Sequence, residues 1–356
     1  MSEHLKILNG EAVDLLKALI AIPSFSGEEE GTANLLADFF ENLGIETTRI
    51  GSNVIARNKY FNPTKPSILL NSHHDTVKPD PGYTRDPFLA FVENGRITGL
   101  GSNDAGAALV SLVGCFRFYY ESTELKYNLV LAATAEEETS GTGGFEYILP
   151  SLPPIAFAIV GEPTKMQMAI AERGLMVLDC ISRGKAGHAA RDEGENALYK
   201  AMADIESIRK LKLDRVSDLL GPSRLNITVI ETPNKAHNVV PAECKFVIDA
   251  RVNELYSFEE VIDFIRPAVK SEIKPRSTRL RSTIIPIEHP IVEAGIKLGL
   301  SYYGSPTTSD KALMPFPALK MGPGDSARSH TADEYIFVNE IAEGIEIYTR
   351  ILNQVL

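Results

Sequence analysis

Short apolar runs that stop abruptly at an acidic or imidazole side chain constrain this chain more than any other feature. Ser67-Ile-Leu-Leu-Asn-Ser72 ends at His73, Asn128-Leu-Val-Leu-Ala-Ala-Thr134 leads to Glu138, and Ile155-Ala-Phe-Ala-Ile-Val-Gly161 ends at Glu162. Arg96-Ile-Thr-Gly-Leu-Gly-Ser-Asn103 ends at Asp104, and Ala318-Leu-Lys-Met-Gly322 runs through a Gly-rich turn to His330. Runs this short and apolar predict buried strands of a mainly parallel sheet. Ligands of open α/β sheets gather at the carboxyl ends of the strands. Two His and three carboxylates would then meet at one edge, which is ligand chemistry for a pair of divalent metals.

A chain of 356 residues is long for one core, so two domains are expected. Glu11 to Ile22 has helical spacing and stops at Pro23. Ser26 with Glu29 resembles a capping box opening a helix to Leu43, with Gly44 at its end. Residues 45–50 and 53–57 read as a hairpin. Strand 67–72, a helix from about Asp104 to Tyr120, strand 128–134, helix 142–149 and strand 155–160 follow. Strands alternating with helices mean an α/β layer. After Gly174 the texture changes. Strands 175–183, 225–231, 244–252 and 278–284, with helices 195–211 and 258–269, give the order β-α-β-β-α-β of a ferredoxin-like α+β sandwich. Residues 292–298 resume helix and 318–321 a buried strand. The fold class is therefore α/β. A catalytic domain of 1–173 and 285–356 carries an inserted domain of 174–284.

A 44% hydrophobic and 23% charged composition is ordinary for a soluble globular protein. The net charge of -11 argues against nucleic acid or an anionic membrane as partner. Three scattered Cys suit a reducing compartment without disulfides. The first residues hold no apolar signal core, and no run reaches about 18 apolar residues, so a cytoplasmic protein is expected.

Each site residue has a bland reading beside the chemical one. On a strand, residues two apart share a side, so Asp75 can hold a ligand His73 while His74 points away. The pair could equally be surface histidines. Asp104 at a helix start could be a cap. Glu136-Glu137-Glu138 would ordinarily be a solvated face, but it lies between Ala-Ala-Thr-Ala135 and Thr-Ser-Gly-Thr-Gly-Gly144, where a cation would offset the repulsion. One Glu could bind metal while its neighbour takes a proton from the metal's water. Glu162 before Pro163 could be an exposed turn, and His330 a loop His.

Together the motifs are more specific. His73-x-Asp75-Thr-Val, Gly-x-x-Asp104, Ala-Glu-Glu137-Glu138-Thr-Ser, Gly-Glu162-Pro-Thr, Gly187-His188 and Gly-Pro-Gly-x(5)-His330 resemble the zinc amidohydrolase family of aminoacylases, glutamate-releasing carboxypeptidases, acetylornithine deacetylases and succinyl-diaminopimelate desuccinylases. The likeness covers nearly the whole chain. The Glu-Glu-Thr-Ser and Gly-Glu-Pro-Thr wording looks closest to the acetylornithine deacetylase branch. The resemblance implies two Zn2+, with Co2+ able to substitute. Asp104 would bridge them, His73 and Glu162 would complete one site, and Glu138 and His330 the other. Glu137 would be the general base and Asp75 would orient His73. It also implies that the inserted domain is a lid and dimerisation module, making a homodimer. His188 would support the oxyanion of the partner subunit's site. The His237-Asn238-Val-Val-Pro241 segment and Arg251 would hold the substrate carboxylate. Two departures stand out: Glu136 where Asp is usual, and Ala105-Gly-Ala107 where Met-Lys-Gly is usual.

The expected activity is removal of an acyl group from an N-acyl-L-amino acid, with N-acetyl- or N-succinyl-ornithine or citrulline in arginine biosynthesis favoured. Arg173 would meet a succinyl carboxylate or form a hinge salt bridge. Asp192, Glu193 and Asp325 are candidates for a cationic tail. The alternatives are a succinyl-diaminopimelate desuccinylase, a dipeptidase, a non-catalytic binding homologue, and a metal-dependent phosphoesterase, which has no Gly-rich phosphate loop to support it.

Overall fold

The computed structural model describes residues 3–191 and 193–356; Asp192, one of the tail candidates, lies outside them. The chain divides into two compact units, Met1–Ile170 with Ile285–Tyr303 and Ser309–Leu356, and Ala171–Ile284 with Gly304–Thr308.

The centre of the first unit is a parallel ladder. Ser67–His73 pairs with Asn128–Thr134 on one side and Ile155–Val160 on the other, and Ala318–Lys320 continues from the latter. All residues of Ser67–His73 and Asn128–Thr134 are buried, as expected of strands covered on both faces. The hairpin Thr47–Ile50 and Asn53–Arg57 extends one side antiparallel, and Met168–Glu172 flanks Ala318–Lys320 antiparallel on the other. The register fixes the heights at which side chains leave the sheet. His73 lies opposite Thr134, and Asn71 opposite Val160, so the chain reaches Glu162 two residues later at the level of His73.

Helix Ala107–Tyr119 is apolar nearly all round and buried along most of its length, as a helix enclosed by other elements must be. It packs on helices Glu3–Ile20 and Val338–Leu352. Gly114 permits this closeness, since a Cβ there would press on Ile345 at 2.8 Å.

Two expectations of local structure need correction. The second helix begins at Glu30, and Ser26 does not cap it: its hydroxyl donates to Asp75 (2.7 Å), while Glu29 accepts from Gly27 N–H. Asp104 does not follow a strand of the main sheet. Arg96–Thr98 belongs to a separate antiparallel sheet with Phe91–Glu93 and Tyr335–Phe337, and a turn through Ser102–Gly106 delivers Asp104.

The second unit is an antiparallel four-stranded sheet in the order Arg224–Glu231, Glu243–Val252, Gly174–Arg183, Glu272–Pro275. Helices Ala197–Lys210 and Phe258–Ile265 supply Ala197, Ala201, Ile208, Val261 and Ile265 to a core with Met176, Leu178, Phe246 and Ile248. This is the ferredoxin-like order, except that the fourth strand is Glu272–Pro275 and not 278–284. Within this unit Thr283 and Ile284 instead pair with Glu172 and Ala171. Ser257 caps the second helix in a capping box with Glu260, so that helix starts where the sequence places it.

Candidate metal centre

His73 is 1% exposed, at the end of the central strand. Its Nδ1 donates to the backbone carbonyl of Asp75 (3.0 Å) and lies 3.4 Å from the Asp75 carboxylate. That acceptor leaves Nε2 as the ring's lone-pair side. Nε2 is buried and makes no hydrogen bond, yet it stands 3.3 Å from Asp104 Oδ1, 3.8 Å from Glu162 Oε1 and 4.0 Å from Glu137 Oε2. The second Asp104 oxygen, Oδ2, lies 3.7 Å from His330 Nε2, which donates to Glu138 Oε2 at 3.0 Å. One carboxylate is thus shared between two donor groups. Ligand atoms of His73, Asp104 and Glu138 lie within 4.8 Å of one another, as do those of His73, Glu137 and Glu162. An orphaned imidazole nitrogen, a shared carboxylate and two flanking carboxylates fit two divalent cations.

The electrostatics agree. Burial, with Glu162 and Glu138 nearby, raises Glu137 well above the usual carboxylate range. Burial pushes Glu162 up to about 8, with Asp104 adding to this and Lys320 opposing it. The bonded Glu138 carboxylate lifts His330 to about 9. Burial would raise Asp75, but His73 and Ser26 hold it down at about 2. Carboxyl groups crowded to this degree keep protons that a cation would displace.

Backbone N–H groups decide where the glutamates point. Glu136 N donates to Glu29, Glu137 N to Asp75 Oδ1 (3.1 Å) and Glu138 N to Asp75 Oδ2 (3.1 Å). Glu136 itself adopts φ +56°, and its carboxylate accepts from Gly143 N–H (2.9 Å). A Cβ at Gly141 or Gly143 would collide with that side chain, so the Gly-Thr-Gly-Gly segment exists to enclose Glu136. Of the three adjacent glutamates, Glu137 and Glu138 face the cluster. His330 likewise has φ +58°, a backbone state that surrounding contacts must enforce for a residue with a Cβ.

His74 points away from the cluster. Its Nε2 faces the Ser52 carbonyl (3.0 Å) and so carries the proton, and Nδ1 accepts from the Thr32 hydroxyl (2.8 Å). Burial lowers its pKa from 6.5 to about 4. Unfolding therefore takes up a proton between those values. The stability this neutral ring contributes is full above about 6.5 and is lost as pH falls toward 4, roughly 3 kcal/mol in all. His74→Gln is expected to flatten the acid side of a stability–pH curve. Denaturant midpoints from pH 7 to 4 check this, and parallel curves for the two proteins would refute it.

The second unit holds the remaining sequence candidates. His188 is exposed, on a two-residue strand with Val239, and its Nδ1 accepts from Ala190 N–H (3.1 Å). Asn238 is exposed, and its carbonyl accepts from Ala189 N–H. Arg251 forms a bidentate pair with Asp249 (2.8 and 3.1 Å) and lies opposite Arg224 in the strand register. Among the described residues Arg173 forms no salt bridge: Nε and Nη2 both donate to the Leu220 carbonyl. Burial, then Arg224 and Arg251, lower its pKa, so three guanidinium groups share this region. Glu193 is exposed, and Asp325 pairs with Lys165 (2.7 Å), which binds it within the first unit.

Sequence reasoning missed the roles of Ser26, Glu29, Asn103 and Glu334, buried or half-buried groups that hold the segments from which the candidate ligands emerge. Burial beside Asp104 raises Glu334 to about 7, with three N–H groups opposing. Such residues carry no local pattern, since their partners lie 49 to 233 positions away.

Residues 69–354 match the model of "Peptidase family M20/M25/M40". A succinyl-diaminopimelate desuccinylase of Acidiphilium cryptum is 28% identical over 97% of this chain and 98% of its own length. One from Wolbachia pipientis is 26% identical over 95% and 92%. Among solved structures, aminopeptidase PepT from Bacillus cereus has a TM-score of 0.78 at 19% identity, covering 98% of both chains. An M20 family metallo-carboxypeptidase from Sulfolobus solfataricus has a TM-score of 0.76 at 18% identity, covering 100% of both. The fold is shared throughout. The chain belongs to peptidase family M20/M25/M40 and is a metal-dependent hydrolase of amide bonds.

Proposed function

We propose that this hydrolase removes a succinyl group from the α-amine of an L-amino acid, as the name of its desuccinylase relatives describes. The observation that carries the hydrolytic reading is the Asp104 carboxylate, one oxygen toward His73 and the other toward His330, with the half-buried Glu137 beside them. Two bound cations, Zn2+ with Co2+ able to substitute, would polarise the scissile carbonyl and acidify a water. Glu137 takes the proton of the attacking water and passes it to the leaving amine nitrogen. Asp75 orients His73, and its grip on two successive N–H groups keeps Glu137 and Glu138 aimed. His188 supports the oxyanion. Arg251, Asn238 and Arg173 serve the substrate's carboxylates, and the cluster of Arg173, Arg224 and Arg251 suits a substrate with more than one.

A homodimer is part of this reading. Tyr199 and Met202 on helix Ala197–Lys210, and Val229 and Ile230 on strand Arg224–Glu231, expose apolar surface suited to a second copy. Among the described residues no helix is long and apolar enough to cross a membrane. A cytoplasmic location remains our proposal.

The relatives' name favours diaminopimelate as the amino acid, in lysine biosynthesis. The Glu-Glu-Thr-Ser and Gly-Glu-Pro-Thr motifs favour ornithine or citrulline, in arginine biosynthesis. Hydrolysis of N-succinyl-L,L-diaminopimelate and of the N-succinyl and N-acetyl forms of ornithine and citrulline by zinc-loaded protein decides. A succinyl substrate is expected to lead its acetyl analogue by at least about 10-fold in kcat/KM, because its second carboxylate adds charge-assisted contacts to the guanidinium cluster that an acetyl group cannot make. Acetyl substrates turned over as well as succinyl ones would defeat the reading. Turnover of dipeptides alone would replace it with a peptidase.

A further inference from the structure

Glu334 is buried, and its carboxylate accepts three backbone N–H groups from a single turn. Oε2 accepts from Gly101 (3.1 Å), and Oε1 from Asn103 and Asp104 (2.8 Å each). Four residues before it on the same loop stands His330. The Asn103 side chain doubles the link: its amide donates to the Asp325 carbonyl (3.1 Å) and the Ser329 hydroxyl (3.2 Å), and its oxygen accepts from Asp325 N–H (2.9 Å). Gly324, at φ +88°, lets the two loops touch, since a Cβ there would collide with the Asn103 amide.

The two halves of the metal centre are therefore held by different means. His73 and Glu162 leave neighbouring parallel strands at the same level, so the sheet sets their separation. Asp104 and His330 leave turns that lie beyond the end of a short ladder, Arg96–Thr98 with Tyr335–Phe337, whose last pair is Thr98 and Tyr335. Past that pair their relative position depends on side chains reaching across, and Glu334 and Asn103 make three such bonds each, those of Glu334 reaching the Asp104 N–H itself.

We propose that Glu334 is a positioning residue that seats the His330 loop on the turn carrying Asp104 and thereby sets the affinity of one metal subsite, that of Asp104, Glu138 and His330, with a smaller effect on the subsite that His73 and Glu162 form with the same Asp104. The inference rests on the two-metal reading above. Losing a group that orients a ligand costs about 10- to 100-fold in metal affinity.

Co2+ titration of the chelator-stripped full chain tests it, read by calorimetry and by the d–d absorption of each bound ion. Wild type is expected to take up two ions. E334Q is expected to bind one with close to wild-type affinity and the other about 10- to 100-fold more weakly. E334A should weaken that second ion further, because Gln keeps one oxygen for Asn103 and Asp104 N–H and Ala keeps none. Equal weakening of both ions in E334Q would mean that Glu334 acts through general stability and would overturn the proposal, as would two undisturbed affinities. Wild type that fails to bind a pair of ions would instead sink the two-metal reading itself.

Discussion

Glu137→Ala is expected to lower kcat by about 10²- to 10⁴-fold, the usual worth of a positioned general base, while leaving two metal ions bound. The geometry separates this residue from its neighbours. Glu136 is enclosed by its own glycine loop, and Glu138 accepts from His330, whereas the half-buried Glu137 carboxylate stands 4.0 Å from His73 and, among the described residues, accepts no hydrogen bond. Burial raises its pKa, which makes it a better proton acceptor toward a water. Steady-state rates alongside metal content by mass spectrometry check both halves of the expectation. An unchanged rate would falsify the assignment of Glu137 as the base. A loss of metal equal to the loss of rate would make it a ligand instead.

Asp104→Ala is expected to do more. Both donor groups use this carboxylate, so removal should weaken both ions together. Loss should exceed the roughly 100-fold cost of an outer-sphere change, leaving no hydrolysis at micromolar metal. Raising metal to millimolar should restore little, because the carboxylate that faces both His73 and His330 is gone. Metal titration of the variant is the measurement, and retention of either ion at wild-type affinity would show that Asp104 is not shared. The contrast with Glu334→Gln is sharp: one variant should largely spare a subsite and the other should spare neither.

How much of this was legible in the sequence depends on whether the cause was local. Strands 128–134 and 155–160 could be read to the residue, because a run buried on both faces is apolar throughout and ends where it leaves the sheet. The ferredoxin-like order emerged from alternation and spacing, but its last strand was misplaced. Glu272–Pro275 has only Ile273 as a distinctly apolar residue, so an edge strand half exposed to water left no run to see. The Ser26 and Glu29 pair matched a capping box in spelling alone; a carboxylate 49 residues away won the hydroxyl. The candidate ligands His73, Asp104, Glu138, Glu162 and His330 come together in the first unit as their chain positions suggested. That Glu136 turns aside could not be read, since its φ of +56° is imposed by Glu29 and by glycines that follow it. The arginines were visible as residues, but not that Arg251 already has Asp249 as a partner.

The strand Ala318–Lys320 sits between Ile155–Val160 and Met168–Glu172, which are nearly consecutive in the chain. On a ribosome those two strands emerge early and wait for their middle neighbour through some 150 residues of further synthesis. Meanwhile the second unit, whose four sheet strands are all made by Pro275, can already close. The waiting edges are buried and apolar in the finished protein, and unpaired edges of that kind invite misassociation. Birth order thus runs opposite to importance: the layer that carries the candidate metal centre is the last part of the molecule to become a protein, and its final candidate ligand, His330, arrives only after the sheet that supports it can exist.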